Sequence, residues 1–134
     1  MTFPRHVGCR TPAGPQATGP YLACVIVAHM CRKVAARYLG RIVEQAPREL
    51  LFRTPRRPYT AALLSAIPLP DPVRERQRRR ASLEGEPPDP ASIPAGCRFH
   101  KRCPRASELC RREDPMLQEV APGHQAACHH MLDA

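Results

Sequence analysis

The sequence predicts a small, irregular α+β fold with a β-hairpin, short helices, a proline-rich linker and a metal-stapled, cysteine-rich C-terminal tail. Its 134 residues suffice for one small domain. Its 17 prolines remove backbone donors and break helix interiors, so the regular elements should be short. With three Phe, three Tyr and no Trp, the chain lacks the side chains that fill large cores.

A hairpin and two helices are predicted in the middle of the chain. Two apolar segments flank Gly40 and predict a β-hairpin over residues 34–44, because glycine suits a tight turn. Helices are predicted over 47–53 and 58–67, since each begins with a proline, which fits the first helical position. A further short helix is expected from Pro104 to about residue 112.

Composition divides the chain into four predicted segments. The first is disordered or degraded, although its apolar end fits either a short helix or a buried strand. The third is a basic linker, extended in its proline-rich half. The predicted segments are an N-terminal stretch 1–33, a hairpin-and-helix segment 34–70, the linker 71–95 and the cysteine-rich tail 96–134.

The basic charge permits two interpretations. The formal net charge is +9, and five arginines cluster between Arg74 and Arg80. Such a cluster could contact nucleic acid or an anionic membrane surface. However, no aromatic residue for base stacking lies among the arginines, which favours a solvated linker. No specific nucleic acid is therefore expected as a partner.

The apolar run from Tyr21 to Met30 is about ten residues long, against roughly 20 for a membrane-spanning helix. No transmembrane segment is predicted. An intracellular protein is the default, and in that compartment clustered cysteines bind metal more often than they form disulfides.

Four cysteines form the candidate metal site: Cys97, Cys103, Cys110 and Cys128. Four thiolates can hold an iron–sulfur cluster or a tetrahedral zinc ion. Their gaps of five, six and seventeen residues contain no tight pair of the zinc-finger kind, which weakly favours iron–sulfur. Unremarkable thiols and two disulfides remain alternatives. The other cysteines lie outside the cluster: Cys9, Cys24 and Cys31.

The histidines are the remaining candidates for chemistry. His29 and His100 could act as bases, but no nucleophile, acid pair or orienting partner can be placed near them. His124, His129 and His130 are expected at the surface or supporting the cysteines. Independent catalysis is not predicted.

Three stretches resemble a known family. Residues 38–72, YLGRIVEQAPRELLFRTPRRPYTAALLSAIPLPDP, resemble the segment after the nucleotide-binding core of oligopeptide/dipeptide ABC-transporter ATP-binding proteins. The stretches GCRFHKRCPRASELC and DPMLQEVAPGHQAACH resemble that family's C-terminal extension, an iron–sulfur-binding module. The resemblance implies that the four cysteines bind an iron–sulfur cluster, 4Fe–4S ahead of zinc, as a structural staple.

The resemblance also implies a role in peptide transport. It implies ABC-transporter nucleotide-binding and membrane-spanning subunits as partners, and a cytoplasmic location, peripheral to the inner face of the plasma membrane. ATP belongs to the full-length family only, because this chain has no G-x-x-x-x-G-K-[ST] loop, no signature sequence and no acidic residue before Glu44. We expect a truncated form without ATPase activity of its own. One departure is Arg57, where the family usually has histidine.

Overall fold

The computed structural model describes residues 29–67, 71–77, 83, 85 and 88–133. Most of the predicted N-terminal segment, up to residue 28, lies outside the described residues, as does the end of the arginine run at 78–80. Within the described ranges, no helix is both long and apolar enough to cross a bilayer.

A four-stranded antiparallel sheet is the centre of the fold, and together with short helices it confirms the α+β class. The strands are β1 (Lys33–Tyr38), β2 (Arg41–Pro47), β3 (Gln118–Ala121) and β4 (His124–Ala126). Their order across the sheet is β1-β2-β4-β3. The sheet therefore combines the predicted hairpin with two strands of the cysteine-rich tail, which the sequence analysis did not predict.

The hairpin turn consists of Leu39 and Gly40, with φ of 47° and 79°. Two-residue hairpin loops need positive φ at these positions to match the twist of the strands. The guanidinium of Arg98 donates to the Leu39 carbonyl at 2.6 Å. The cysteine-rich tail thus holds the turn of the hairpin directly.

The helices that lie within the described residues are α1 (Arg48–Arg53), α2 (Pro58–Ala66), α3 (Pro72–Gln77) and α4 (Glu108–Arg112), together with a short 3-10 helix at His100–Arg102. The first two confirm the prediction to within one residue. The helix α3 lies in the predicted linker, and it forms because the Asp71 carboxylate accepts the Val73 amide at 2.9 Å. The helix α4 begins after Ser107, four residues later than predicted.

Three aromatic side chains join the hairpin, α2 and the tail. The rings of Tyr38, Tyr59 and Phe99 lie with centroids 4.8–5.3 Å apart, in tilted or edge-to-face contacts. Phe99 is 1% exposed. The chain end is attached separately, since the Leu132 amide donates to the Arg56 carbonyl at 2.8 Å. The tail therefore packs on the hairpin instead of extending away from it.

Candidate functional site

The four predicted cysteines line one cavity. They come from the loop after Gly96, from α4 and from the segment that follows β4. The cavity has a volume of about 10 Å³, roughly the space for a single water molecule. The structure thus places the four thiols at the same cavity, which their spacing in the sequence did not by itself determine.

Gly96 allows the first cysteine to approach α4. Its φ is +71°, and a Cβ atom there would lie 2.5 Å from the carbonyl oxygen of Cys110. The next residue, Cys97, donates its amide to that same carbonyl at 2.7 Å. Because only glycine fits this backbone approach, Gly96 fixes two of the four thiols relative to each other.

The cysteines of the described part of the chain are free thiols, so the two-disulfide alternative is not realised in this structure. Burial raises the pKa of both the Cys103 and the Cys128 thiol. Negative charge on neighbouring cysteines also raises these pKa values, whereas the positive charge of Arg57 lowers them. When no metal is bound, both thiols therefore hold their protons more strongly than ordinary cysteine thiols do.

The four cysteine thiols are of the type that binds iron–sulfur clusters or zinc, although their sulfur atoms do not point at one common position. Among the residues described here, no three His, Cys, Asp or Glu side chains are arranged to hold a metal ion. All four thiols nevertheless line the same cavity. Rotation of the cysteine side chains towards its centre would be needed for them to share one metal group.

Three histidines line the cavity and form hydrogen bonds with the segments that carry the cysteines. His100 Nδ1 lies 2.8 Å from the Cys97 carbonyl, and His130 Nε2 lies 2.7 Å from Ser107 Oγ. His129 Nε2 lies 3.0 Å from the carbonyl of Glu113. Each ring thus contacts a segment that lies next to a cysteine of the cavity.

His124 differs from the expectation of a surface or supporting histidine. It is 1% exposed and does not line the cavity. Its Nε2 lies 2.7 Å from Oε1 of Glu44, which is itself fully buried. The same carboxylate accepts the backbone amides of Arg56 at 2.7 Å and Arg57 at 3.1 Å. We call this arrangement the Glu44 clamp.

The clamp places a buried arginine at the cavity. Arg57 is 2% exposed, and its Nη2 donates to Cys97 Sγ at 3.6 Å. Sequence reasoning noted Arg57 only as a departure from the family pattern and gave Glu44 no structural role, because charged residues are rarely fully buried. The available signal was the position of Glu44 directly after Ile42 and Val43, at the end of the predicted hairpin.

The fold and the cavity define a small α+β module built around a four-cysteine pocket. A family model described as the C-terminal region of oligopeptide/dipeptide transporters matches residues 43–110, half of the chain. The chain belongs to this family.

Relatives support the assignment. A probable peptide ABC transporter ATP-binding protein of Sinorhizobium fredii is 50% identical over 104 residues, which are 78% of this chain and 29% of the relative. A putative oligopeptide transport ATP-binding protein of Bacillus subtilis is 45% identical over 104 residues, 78% of this chain and 32% of the relative. The chain thus spans about a third of the length of these relatives.

Proposed function

We propose that this chain is the C-terminal part of an ATP-binding subunit of a peptide ABC transporter, with an iron–sulfur cluster held by its four cysteines as a structural staple. Family membership supports the first part, since the relatives are described as peptide or oligopeptide transport ATP-binding proteins. One observation carries the second part. The thiols of Cys97, Cys103, Cys110 and Cys128 line a single cavity.

The chemistry of the donor set fits a cluster. Deprotonated thiols are soft ligands that suit iron–sulfur centres. They come from a loop, a helix and the chain end, so one bound group would join three pieces of the tail. In a chain with so few aromatic residues, the free energy of binding would add directly to the free energy of folding. When bound, the cluster would supply this cross-link.

The proposed partners are the nucleotide-binding core and the membrane-spanning subunits of the transporter, at the cytoplasmic face of the plasma membrane. ATP would be bound by the core. The chain alone is expected to release no phosphate from ATP above background, because its sequence contains no phosphate-binding loop. A nucleic-acid role is not proposed. The described part of the arginine run lies on α3, which carries no aromatic residue.

The staple is tested by reconstituting the full chain anaerobically with iron and sulfide and measuring iron, sulfide, zinc and the visible spectrum. A brown protein with matching iron and sulfide is expected. Cys103→Ser should lose most of the iron, whereas Cys31→Ser should retain it, because Cys31 lies outside the cavity. A colourless protein that contains one zinc ion would show that the cysteines hold zinc instead of an iron–sulfur cluster. A chain that binds neither would refute the proposed staple.

The transport role is tested in a chimera. The matched region of the Sinorhizobium fredii relative is replaced by the corresponding 104 residues of this chain, and peptide uptake is measured in cells lacking the relative. Uptake should persist, and it should fall in the chimera that carries Cys103→Ser. A stably expressed chimera without uptake would count against the transport role, whatever the cysteines bind.

A further inference from the structure

Arg57 presents a buried positive charge to the four-cysteine cavity. Its side chain is 2% exposed and lines the cavity. Nη2 donates to Cys97 Sγ at 3.6 Å, while Nε is buried without a hydrogen-bond partner. Within the described part of the chain, no acidic side chain forms an ion pair with this guanidinium. A buried charge without a counter-charge is costly, so the position calls for an anion.

The Glu44 clamp explains why this charge is directed at the cysteines. The carboxylate of Glu44 accepts the backbone amide of Arg57 at 3.1 Å and contacts His124 through its other oxygen. It therefore holds the backbone of Arg57 without pairing with the guanidinium. Since α2 begins at the next residue, the backbone of Arg57 is held on both sides.

The cysteines can provide the missing negative charge. Four thiolates around a divalent ion, or around an iron–sulfur core of the same charge, carry about two net negative charges. The reduced form of a bound cluster is more negative than its oxidised form. A fixed cation in a poorly solvated cavity therefore favours the reduced form more strongly than a solvated surface charge does.

We propose that Arg57 is the counter-charge of the four-cysteine site: it stabilises the metal-loaded site and favours the reduced state of a bound cluster. The inference rests on the proposed metal-binding function. Arg57 is a positioning residue here, because it acts on the bound group through Cys97 and through its charge.

The first test compares cobalt(II) affinities of the reduced full chain under anaerobic conditions, using the thiolate-to-cobalt absorption as the signal. Arg57→Met should weaken binding at least tenfold, whereas Arg57→Lys should remain within about threefold of the unmodified chain. Arg53→Met is the control and should have no effect. Arg53 is exposed and does not line the cavity.

The second test measures the reduction potential of the reconstituted cluster in a mediated dithionite titration. The S–S bond of dithionite breaks to give two sulfur dioxide radical anions, each of which donates one electron to a cluster and leaves as sulfite after hydration, and no bond of the protein forms or breaks. Arg57→Met should lower the equilibrium constant for reduction about tenfold, which corresponds to about 59 mV for a one-electron couple. Arg57→Lys should preserve the potential. If Arg57→Met does not fold by circular dichroism, Arg57→Gln replaces it as the neutral variant.

The outcomes separate this inference from the proposed function. Equal cobalt affinities and potentials in the neutral variant and the unmodified chain would overturn the role of Arg57 while leaving the metal site intact. Equal losses in Arg57→Lys and Arg57→Met would also overturn it, since charge would not be the cause. An unmodified chain that binds no metal would overturn both.

Discussion

The Glu44 clamp offers a direct test of how the tail is attached to the hairpin. The substitution Glu44→Gln preserves the size of the side chain but replaces one acceptor oxygen with an amide group that can only donate. The carboxylate of Glu44 receives two backbone amides and the ring of His124, and the residue is 0% exposed. At least one of these three donors therefore loses its partner at a fully buried position.

The size of the effect follows from the number of contacts. A hydrogen bond to a charged group contributes about 1.5–3 kcal/mol, and a buried donor without a partner costs about 1–3 kcal/mol. We expect Glu44→Gln to lower the free energy of unfolding by about 2–4 kcal/mol. The total free energy of unfolding of a small domain is only about 5–15 kcal/mol. With a urea slope of about 2 kcal/mol per molar, the midpoint should fall by about 1–2 M.

The assay is urea unfolding of the chelated, reduced full chain, followed by circular dichroism so that metal binding does not contribute. Glu49→Gln is the control. Its carboxylate lies 3.7 Å from the Arg48 guanidinium in an exposed pair, which should contribute less than about 1 kcal/mol. If Glu44→Gln unfolds within about 0.5 kcal/mol of the control, the clamp does not stabilise the fold as the structure implies.

Two further substitutions test the cysteine loop and the aromatic contacts. Gly96→Ala and Gly40→Ala should each cost about 1–2 kcal/mol for a left-handed backbone. Gly96→Ala should cost clearly more, because its Cβ would meet the Cys110 carbonyl whereas that of Gly40 meets nothing within 4 Å. Equal urea midpoints would contradict this packing. Burial, aided by charge on Tyr38, raises the pKa of Tyr59 above its ordinary value of 10.0. Its contribution to stability is therefore complete below about pH 10 and lost as the pH rises through the folded-state pKa. The stability difference between the unmodified chain and Tyr59→Phe should shrink above that pH, and a difference that stays constant would argue against a buried phenol.

Elements with local signals were predictable from the sequence. Gly40 marks the hairpin turn, and the prolines at the helix starts place α1 and α2. Two further signals were present but not used. Asp71 followed by proline marks the start of α3, and Pro122–Gly123 marks the turn between β3 and β4. These short strands have little apolar alternation, so their pairing with β2 depends on tertiary contacts.

The candidate site was predictable only in its cysteines. Their residue type and clustering indicated thiolate chemistry, and the structure places all four at one cavity. Glu44 and Arg57 were missed because their burial depends on partners distant in sequence. His124 lies 80 residues from Glu44, and Cys97 lies 40 residues from Arg57. Contacts between residues so far apart in the sequence leave no local sequence pattern from which they could be predicted.

The place of β2 between β1 and β4 affects how the chain folds during synthesis. The hairpin partner of β2 is made immediately before it, but its second neighbour follows about 80 residues later. At about 5–20 residues per second, the ribosome needs roughly 4–16 s to complete that distance. Throughout this interval one edge of β2 is unpaired, and such an edge can pair with another nascent chain. The yield of soluble protein should therefore depend on translation speed and on how long the tail remains unfinished.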